Sequence, residues 1–194
     1  MSEATTPAYT FHWLTPERWP DLEALFGPKG AYGGCWCMYW RLPGSAYQRG
    51  QGEPNRQAFQ RIVADGERPG ILAYDGDQPV AWMALAPRGV YGRLSRSKVL
   101  APVDGEEVWS ITCFYVAKGH RRKGLTVALL EAAARMAAER GARILEGYPV
   151  DPRAGKTADI YAYTGLAGAF QKAGFEEVAR RSETRPVMRK RVGE

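Results

Sequence analysis

Cysteine is scarce in this chain, histidine is scarcer, and no apolar run approaches the length of a membrane span. The cysteines are Cys35, Cys37 and Cys113, and the histidines are His12 and His120. An odd, sparse set of thiols does not make a disulfide framework. Cys35-Trp36-Cys37 lacks the paired C-x-x-C or Cys/His spacing of a structural zinc site, so free thiols and no metal are expected. A bilayer span needs about 20 consecutive apolar residues, and none is present. The start, Met-Ser-Glu-Ala-Thr-Thr-Pro, lacks the basic-then-apolar pattern of an export signal, which points to the cytoplasm. There is no internal repeat or low-complexity tract. Zinc-finger and RRM-like signatures are missing and the aromatics are not interleaved with basic residues, so nucleic acid is not an expected partner.

What is present suits one folded unit. The 194 residues are 45% hydrophobic and 25% charged, values that support a proper core in a single domain spanning 1–194. The formal net charge of +6 calls for a polyanionic partner, and only the placement of the basic residues can say which kind.

Tyr9 to Leu14 reads as a first strand, and Thr15-Pro16 opens a helix carrying Trp19, Leu22, Leu25 and Phe26 on one face. Between 27 and 54 lies an insertion rich in glycine and aromatics. Its Trp36, Tyr39 and Trp40 either line a binding wall or cover the core. Pro54 to Ala64 forms a second helix. Gly70 to Tyr74 and Pro79 to Ala86 form a hairpin around Asp75-Gly76. Glu107 to Val116 is a strand dense in β-branched and aromatic residues, Leu125 to Arg140 is the clearest helix, and Ala142 to Tyr148 returns as a strand. A short helix over Leu166 to Ala173 and a terminal strand pair, Phe175 to Arg180 and Pro186 to Val192, complete an α/β pattern.

The chemistry sits between the strong strand and the strong helix. Ala117-Lys-Gly-His-Arg-Arg-Lys-Gly-Leu-Thr126 holds four basic side chains and no acid, and it delivers the chain into a helix N-terminus. Unpaired N–H groups and the positive end of the helix dipole there suit a phosphate or diphosphate. Gly124 lets the backbone approach such a ligand closely. The order of residues is neither a Walker loop nor a dinucleotide fingerprint.

Val116-x-x-x-x-Arg121-x-x-Gly124-x-Thr126 resembles motif A of the GCN5-related N-acetyltransferase (GNAT) family, and Phe170-Gln-Lys-Ala-Gly174-Phe175 resembles the family's late motif. The order of elements extends the resemblance over most of the chain. It implies an α/β (α+β) fold: a mixed, mostly antiparallel central sheet with a splayed parallel strand pair, flanked by helices. It also implies transfer of an acetyl group from acetyl-CoA to the amine of a small-molecule or peptide acceptor, by direct attack and without a metal. The alternative is a non-catalytic acyl-CoA-binding protein of the same fold. Folds of this kind often dimerise, so a homodimer is an open expectation.

Carried onto this chain, the resemblance assigns the pantetheine arm to the backbone of Phe114, Tyr115 and Val116. It assigns the diphosphate to Arg121, Arg122, Lys123, Gly124, Leu125 and Thr126. Thr126 replaces the usual final glycine or alanine. Phe170 stands by the cofactor where many relatives have a proton-donating tyrosine, leaving Tyr163, with Tyr161, as the nearest substitutes. The usual base positions hold Thr112 and Ser110, so Ser110 and the carboxylates Glu107, Glu146 and Asp151 are the candidates, acting through water. If Trp36, Tyr39 and Trp40 line the cleft, an apolar or cationic amine is the expected acceptor.

Overall fold

The computed structural model describes residues 9–152 and 163–193. Seven strands form one sheet: β1 (Thr10–Trp13), β2 (Gly70–Asp75), β3 (Gln78–Pro87), β4 (Trp109–Val116), β5 (Ile144–Gly147), β6 (Glu176–Arg180) and β7 (Pro186–Arg191), in the order β1-β2-β3-β4-β5-β7-β6. The helices are α1 (Trp19–Phe26), α2 (Gly44–Arg49), α3 (Glu53–Ala64), α4 (Gly92–Arg96), α5 (Leu125–Ala138) and α6 (Ala167–Lys172). Only β4 and β5 run parallel; every other neighbouring pair is antiparallel. This is the mixed sheet with one parallel pair that the sequence led us to expect.

The central strands are apolar on both faces because both faces are covered. Ile71, Ala73, Ala81 and Met83 pack under α5 and α6 with Leu125, Leu129, Leu130 and Ala133. Their alternates Leu72, Tyr74, Trp82 and Ala84 pack under α1 and α3 with Trp19, Leu22, Phe26, Phe59 and Val63. That is the period of two that a strand imposes. Each leucine so buried stabilises the fold by about 1.5–3 kcal/mol. The hairpin turn falls where Asp-Gly placed it: Asp75 pairs with Gln78, and Gly76 takes φ +58°. Helix α5 ends through Gly141 at φ +88°, which returns the Ala142 N–H to the Ala137 carbonyl at 3.0 Å.

Three details depart from expectation. Thr15 does not cap the first helix through its side chain, and a 3-10 turn over Pro16–Arg18 comes first. Helices α2 and α4, of six and five residues, lie where only connections were expected. Neither has an apolar stripe long enough to register as a period. Among the described residues no helix is long and apolar enough to cross a membrane.

Candidate active site at the splay of β4 and β5

Strand β4 carries a bulge. Ala84 and Leu85, adjacent on β3, pair with Cys113 and Ile111, so Thr112 is an extra residue. A bulge bends the strand that bears it. Contact with β5 accordingly stops early: Trp109, Ser110 and Ile111 pair with Leu145, Glu146 and Gly147, and beyond them the two strands separate.

The splay mouth is partly filled by the chain itself. The segment 163–166 runs beside the end of β5, with Val150 and Leu166 bridged in parallel. The Phe114 N–H donates to the Tyr163 carbonyl at 2.6 Å. Strand hydrogen bonds alternate sides, and the Ala117 N–H goes to Val80 on β3. Phe114 and Val116 therefore direct their amides toward the gap, whereas Tyr115 directs its amide toward β3. Of the three residues assigned to the pantetheine arm, Tyr115 is thus turned away, and its ring packs on Phe26 at 5.6 Å.

Below the mouth, Phe170 is wholly buried, edge-on to Phe114 at 6.1 Å and to Phe175 at 5.0 Å. A side chain on Gly147 or Gly165 would collide with its ring, so both glycines are needed for this packing. Phe170 is therefore a floor beneath the mouth, enclosed on every side, and not a surface that a cofactor can reach directly.

Past Val116 the chain makes a 3-10 turn over Lys118–His120, and Arg121 Nε folds back to the Val116 carbonyl at 3.0 Å. Arg121, Arg122, Lys123 and Gly124 are all exposed. Arg122 and Gly124 take positive φ, +61° and +78°. That left-handed geometry is routine for glycine and costs other residues roughly 1–2 kcal/mol. A Cβ built on Gly124 would meet nothing within 4 Å, so the protein itself does not demand a glycine for room. Conformation and open space together make a cradle at the start of a 14-residue helix. The donors and charges fit a diphosphate. Leu125 sends its side chain into the core and Thr126 stays half-buried, so both can offer backbone to that cradle.

The base candidates fare differently. Glu146 is 1% exposed, and both its oxygens are committed. Oε1 accepts from Arg88 at 2.9 Å and from the Tyr148 hydroxyl at 2.6 Å, while Oε2 accepts from Arg189 at 2.7 Å. Ser110 Oγ lies 2.7 Å from the same Tyr148 hydroxyl. Burial, then the adjacent Glu146 charge, pushes the Tyr148 phenol far up, so it stays protonated. Glu146 and Ser110 thus belong to a buried polar knot at the closed end of the splay. Proton abstraction by Glu146 is corrected to a structural role, because it is buried and held by two guanidiniums and a phenol. Asp151 is paired with Arg180 at 2.8 Å.

Tyr163, by contrast, stands at the mouth. Its ring meets Tyr39 at 6.4 Å, and burial, followed by the neighbouring Tyr39 and Cys113, pushes its phenol far up. It holds its proton across the neutral range. Tyr161 lies outside the described residues.

The aromatic insertion divides. Trp36 is 5% exposed, stacked on Trp19 at 6.1 Å and tilted against Phe26 at 5.6 Å. It is core, and the edge it exposes lines the surface hollow beside Glu23 and Arg56 and not the mouth, a correction to the expected lining. Trp40 packs among Tyr91, Leu94 and Tyr148, with its Nε1 buried and unpaired. Tyr39 alone of the three faces Tyr163, and its ring face is already covered by the Arg93 guanidinium at 4.1 Å. The three cysteines are free thiols. Cys37 Sγ accepts from Trp82 Nε1 at 3.0 Å. His120 is spent on Tyr9 at 3.2 Å and His12 sits edge-on to Tyr74, so neither described histidine forms a dyad with Cys113. No group of three or more metal-ligating side chains occurs among the described residues. Two surface hollows, of about 600 and 420 Å³, lie away from this mouth. The first is rimmed by Asp104, Glu106, Glu107 and Arg143.

Comparison with known proteins agrees with this geometry. No curated protein matches the chain by sequence. Among solved structures, a putative GNAT acetyltransferase from Desulfovibrio desulfuricans is 15% identical, covers 95% of this chain and 99% of its own, and superposes with a TM-score of 0.54. The PaiA N-acetyltransferase of Thermoplasma acidophilum, solved with coenzyme A, is 11% identical, with coverages of 95% and 99% and a TM-score of 0.52. Arylalkylamine N-acetyltransferase 2 of Aedes aegypti is 14% identical, with coverages of 96% and 100% and a TM-score of 0.58. At these identities the likeness is one of fold. The family model for GNAT acetyltransferases matches residues 3–155, a span that takes in the bulged strand, the basic loop and helix α5, and the chain belongs to the GNAT family of acetyltransferases.

Proposed function

We propose that this protein transfers the acetyl group of acetyl-CoA to the amine of a small acceptor, directly and without an acyl-enzyme. One observation carries the reading: an acid-free basic turn, with Gly124 at φ +78° and clear space before it, opens helix α5 one loop away from a strand pair that splays. The Gly124-to-Thr126 backbone and the Arg121, Arg122 and Lys123 side chains would hold the diphosphate. The Val116 amide would hold the arm that enters the splay. Acetyl-CoA, when bound, supplies an acyl carbon activated as a thioester.

The chain's own groups then position and stabilise. The Phe114 N–H points into the gap and is suited to a carbonyl oxygen that gains negative charge, once the Tyr163 carbonyl gives way. Tyr163, holding its proton, is the group at the mouth able to donate to a departing thiolate. The knot of Glu146, Arg88, Arg189, Tyr148 and Ser110 fixes the closed end of the splay. Cys113 makes no hydrogen bond to a histidine among the described residues and instead donates to the Phe114 carbonyl, which favours direct transfer over an acyl-cysteine route.

The test is coenzyme A release in a panel of amines with acetyl-CoA, beside calorimetric titration of acetyl-CoA alone. Saturable binding with turnover is expected. Binding with no turnover on any amine would leave a carrier of acyl-CoA, a reading that the enclosed Phe170 and the committed Glu146 also fit.

A further inference from the structure

Arginine in this protein is usually neutralised where it is held. Arg41 pairs with Glu67, Arg56 with Glu23, Arg88 with Glu146, Arg180 with Asp151 and Arg189 with Asp104. Several held guanidiniums break the pattern: Arg143 and Arg181 donate only to backbone carbonyls at exposed positions, and Arg93 and Arg185 are held in part-buried ones. Arg93 on α4 donates Nε to the Leu42 carbonyl at 3.0 Å and lies 4.1 Å over Tyr39 and 5.5 Å from Tyr47. Arg185, on the β6–β7 connection, donates Nη1 to Thr164 Oγ1 at 2.9 Å, and Thr164 is fully buried. Neither has a carboxylate partner among the described residues. Arg93 lies on Tyr39, whose ring meets Tyr163, and Arg185 holds Thr164, the residue after Tyr163, whose carbonyl covers the Phe114 amide.

From this we infer that the acceptor is an amine that also bears a carboxylate, an amino acid in the simplest case, held by Arg93 and Arg185. The inference rests on the acetyltransferase reading above and names the substrate class of that same site. Arg93 is fixed by a hydrogen bond and by stacking, so its planar donor fork can meet a carboxylate with little loss of freedom. A cationic acceptor is disfavoured, because the Tyr39 face is already occupied by a guanidinium. The same pair of charges addresses the empty base positions. An ammonium entering beside two fixed cations is disfavoured relative to the neutral amine, since like charges lower its pKa. The amine then arrives closer to its nucleophilic form, and the one proton its nitrogen sheds on acylation passes to water, so Thr112 and Ser110 need not act as bases. The arginines are specificity and positioning groups and touch no reacting atom.

Matched acceptors test this. Phenylalanine against 2-phenylethylamine, and methionine against 3-(methylthio)propylamine, differ only in the carboxylate. With saturating acetyl-CoA, the amino acid should be favoured in kcat/KM by about tenfold or more, the scale of a charge-assisted hydrogen bond pair. Arg93→Gln and Arg185→Gln should each raise KM for the amino acid and collapse that ratio toward one, and Arg93→Lys should recover part of it. Binding of N-acetylphenylalanine and N-acetyl-2-phenylethylamine to the coenzyme A-loaded protein reads the same preference without turnover. Equal affinity for the two products, equal or better turnover of the plain amines, or a ratio untouched by Arg93→Gln would overturn the inference. Acetyl-CoA affinity is measured in every variant, with a melting curve to confirm folding. Its loss in the unaltered protein would instead indict the enzyme reading itself.

Discussion

Replacing Gly124 separates conformation from ligand approach. Gly124→Ala adds a Cβ with nothing within 4 Å, so the protein alone sees only the left-handed φ of +78°. That costs roughly 1–2 kcal/mol of stability. Gly124→Asp carries the same backbone cost and adds a negative charge at the start of α5. If a diphosphate sits in this turn, a like charge about 4 Å away opposes it by about 1 kcal/mol in water and about 4 kcal/mol at the effective dielectric of a protein surface. Taking the lower limit, acetyl-CoA should bind at least about fivefold more weakly to Gly124→Asp. Gly124→Ala should lose less. Calorimetric titration gives the affinities, and thermal melts should show Gly124→Asp destabilised less than Gly124→Ala, because a carboxylate at the start of α5 faces the positive end of the helix. Equal acetyl-CoA affinity in the unaltered protein and Gly124→Asp would refute the placement of the diphosphate.

Other consequences follow from the buried groups. Glu146→Gln leaves Arg88 and Arg189 around a neutral amide and should cost about 3–5 kcal/mol, the scale for breaking a buried ion pair, read as a lowered denaturant midpoint; an unchanged midpoint would mean the knot is not structural. Tyr163→Phe should lower kcat by about 100-fold with little change in KM, and an unaltered kcat would remove Tyr163 as proton donor. Trp36→Ala should destabilise the fold by about 3–5 kcal/mol as a core truncation, and a stability loss near zero would return Trp36 to the surface. Stability should also fall in alkali. Burial raises the phenols of Tyr74, Tyr91, Tyr148 and Tyr163, that of Tyr91 to about 12 from an ordinary 10.0. The unfolded chain therefore releases these protons first, and the stability they confer is complete below about pH 10 and lost as pH rises through the folded values. A flat denaturant midpoint between pH 9 and 11.5 would contradict this.

Much of this was legible in the sequence, and the reasons are local. The Asp75-Gly76 turn, the apolar stripe of α5 and the basic run ending in Gly124 each declare themselves within a few residues. The strand pattern, once the loop is recognised, orders the sheet. What the sequence hid was register. Glu146 pairs across the sheet with Ser110 on one side and Arg189 on the other. Nothing periodic links positions 110, 146 and 189, so Glu146 looked like a candidate base and not a clamped anion. Trp36 was undecidable for a related reason. It lies in a turn-rich segment where its own φ is positive, +42°, and only long-range packing against Trp19 and Phe26 buries it. Arg93 and Arg185 belong to no motif, and their lack of carboxylate partners among the described residues emerges only from the folded chain.

The 2.6 Å bond from the Phe114 amide to the Tyr163 carbonyl has a further consequence for affinity. A cofactor that takes this amide gains one hydrogen bond and breaks another of the same kind, so the swap contributes close to nothing. On the proposed placement, most of the binding strength then resides in the nucleotide end, at the charged turn. Pantetheine fragments should bind feebly, nucleotide fragments should keep most of the affinity, and that affinity should fade as salt rises. In hydrogen exchange, the Phe114 proton should stay slow whether or not ligand is present.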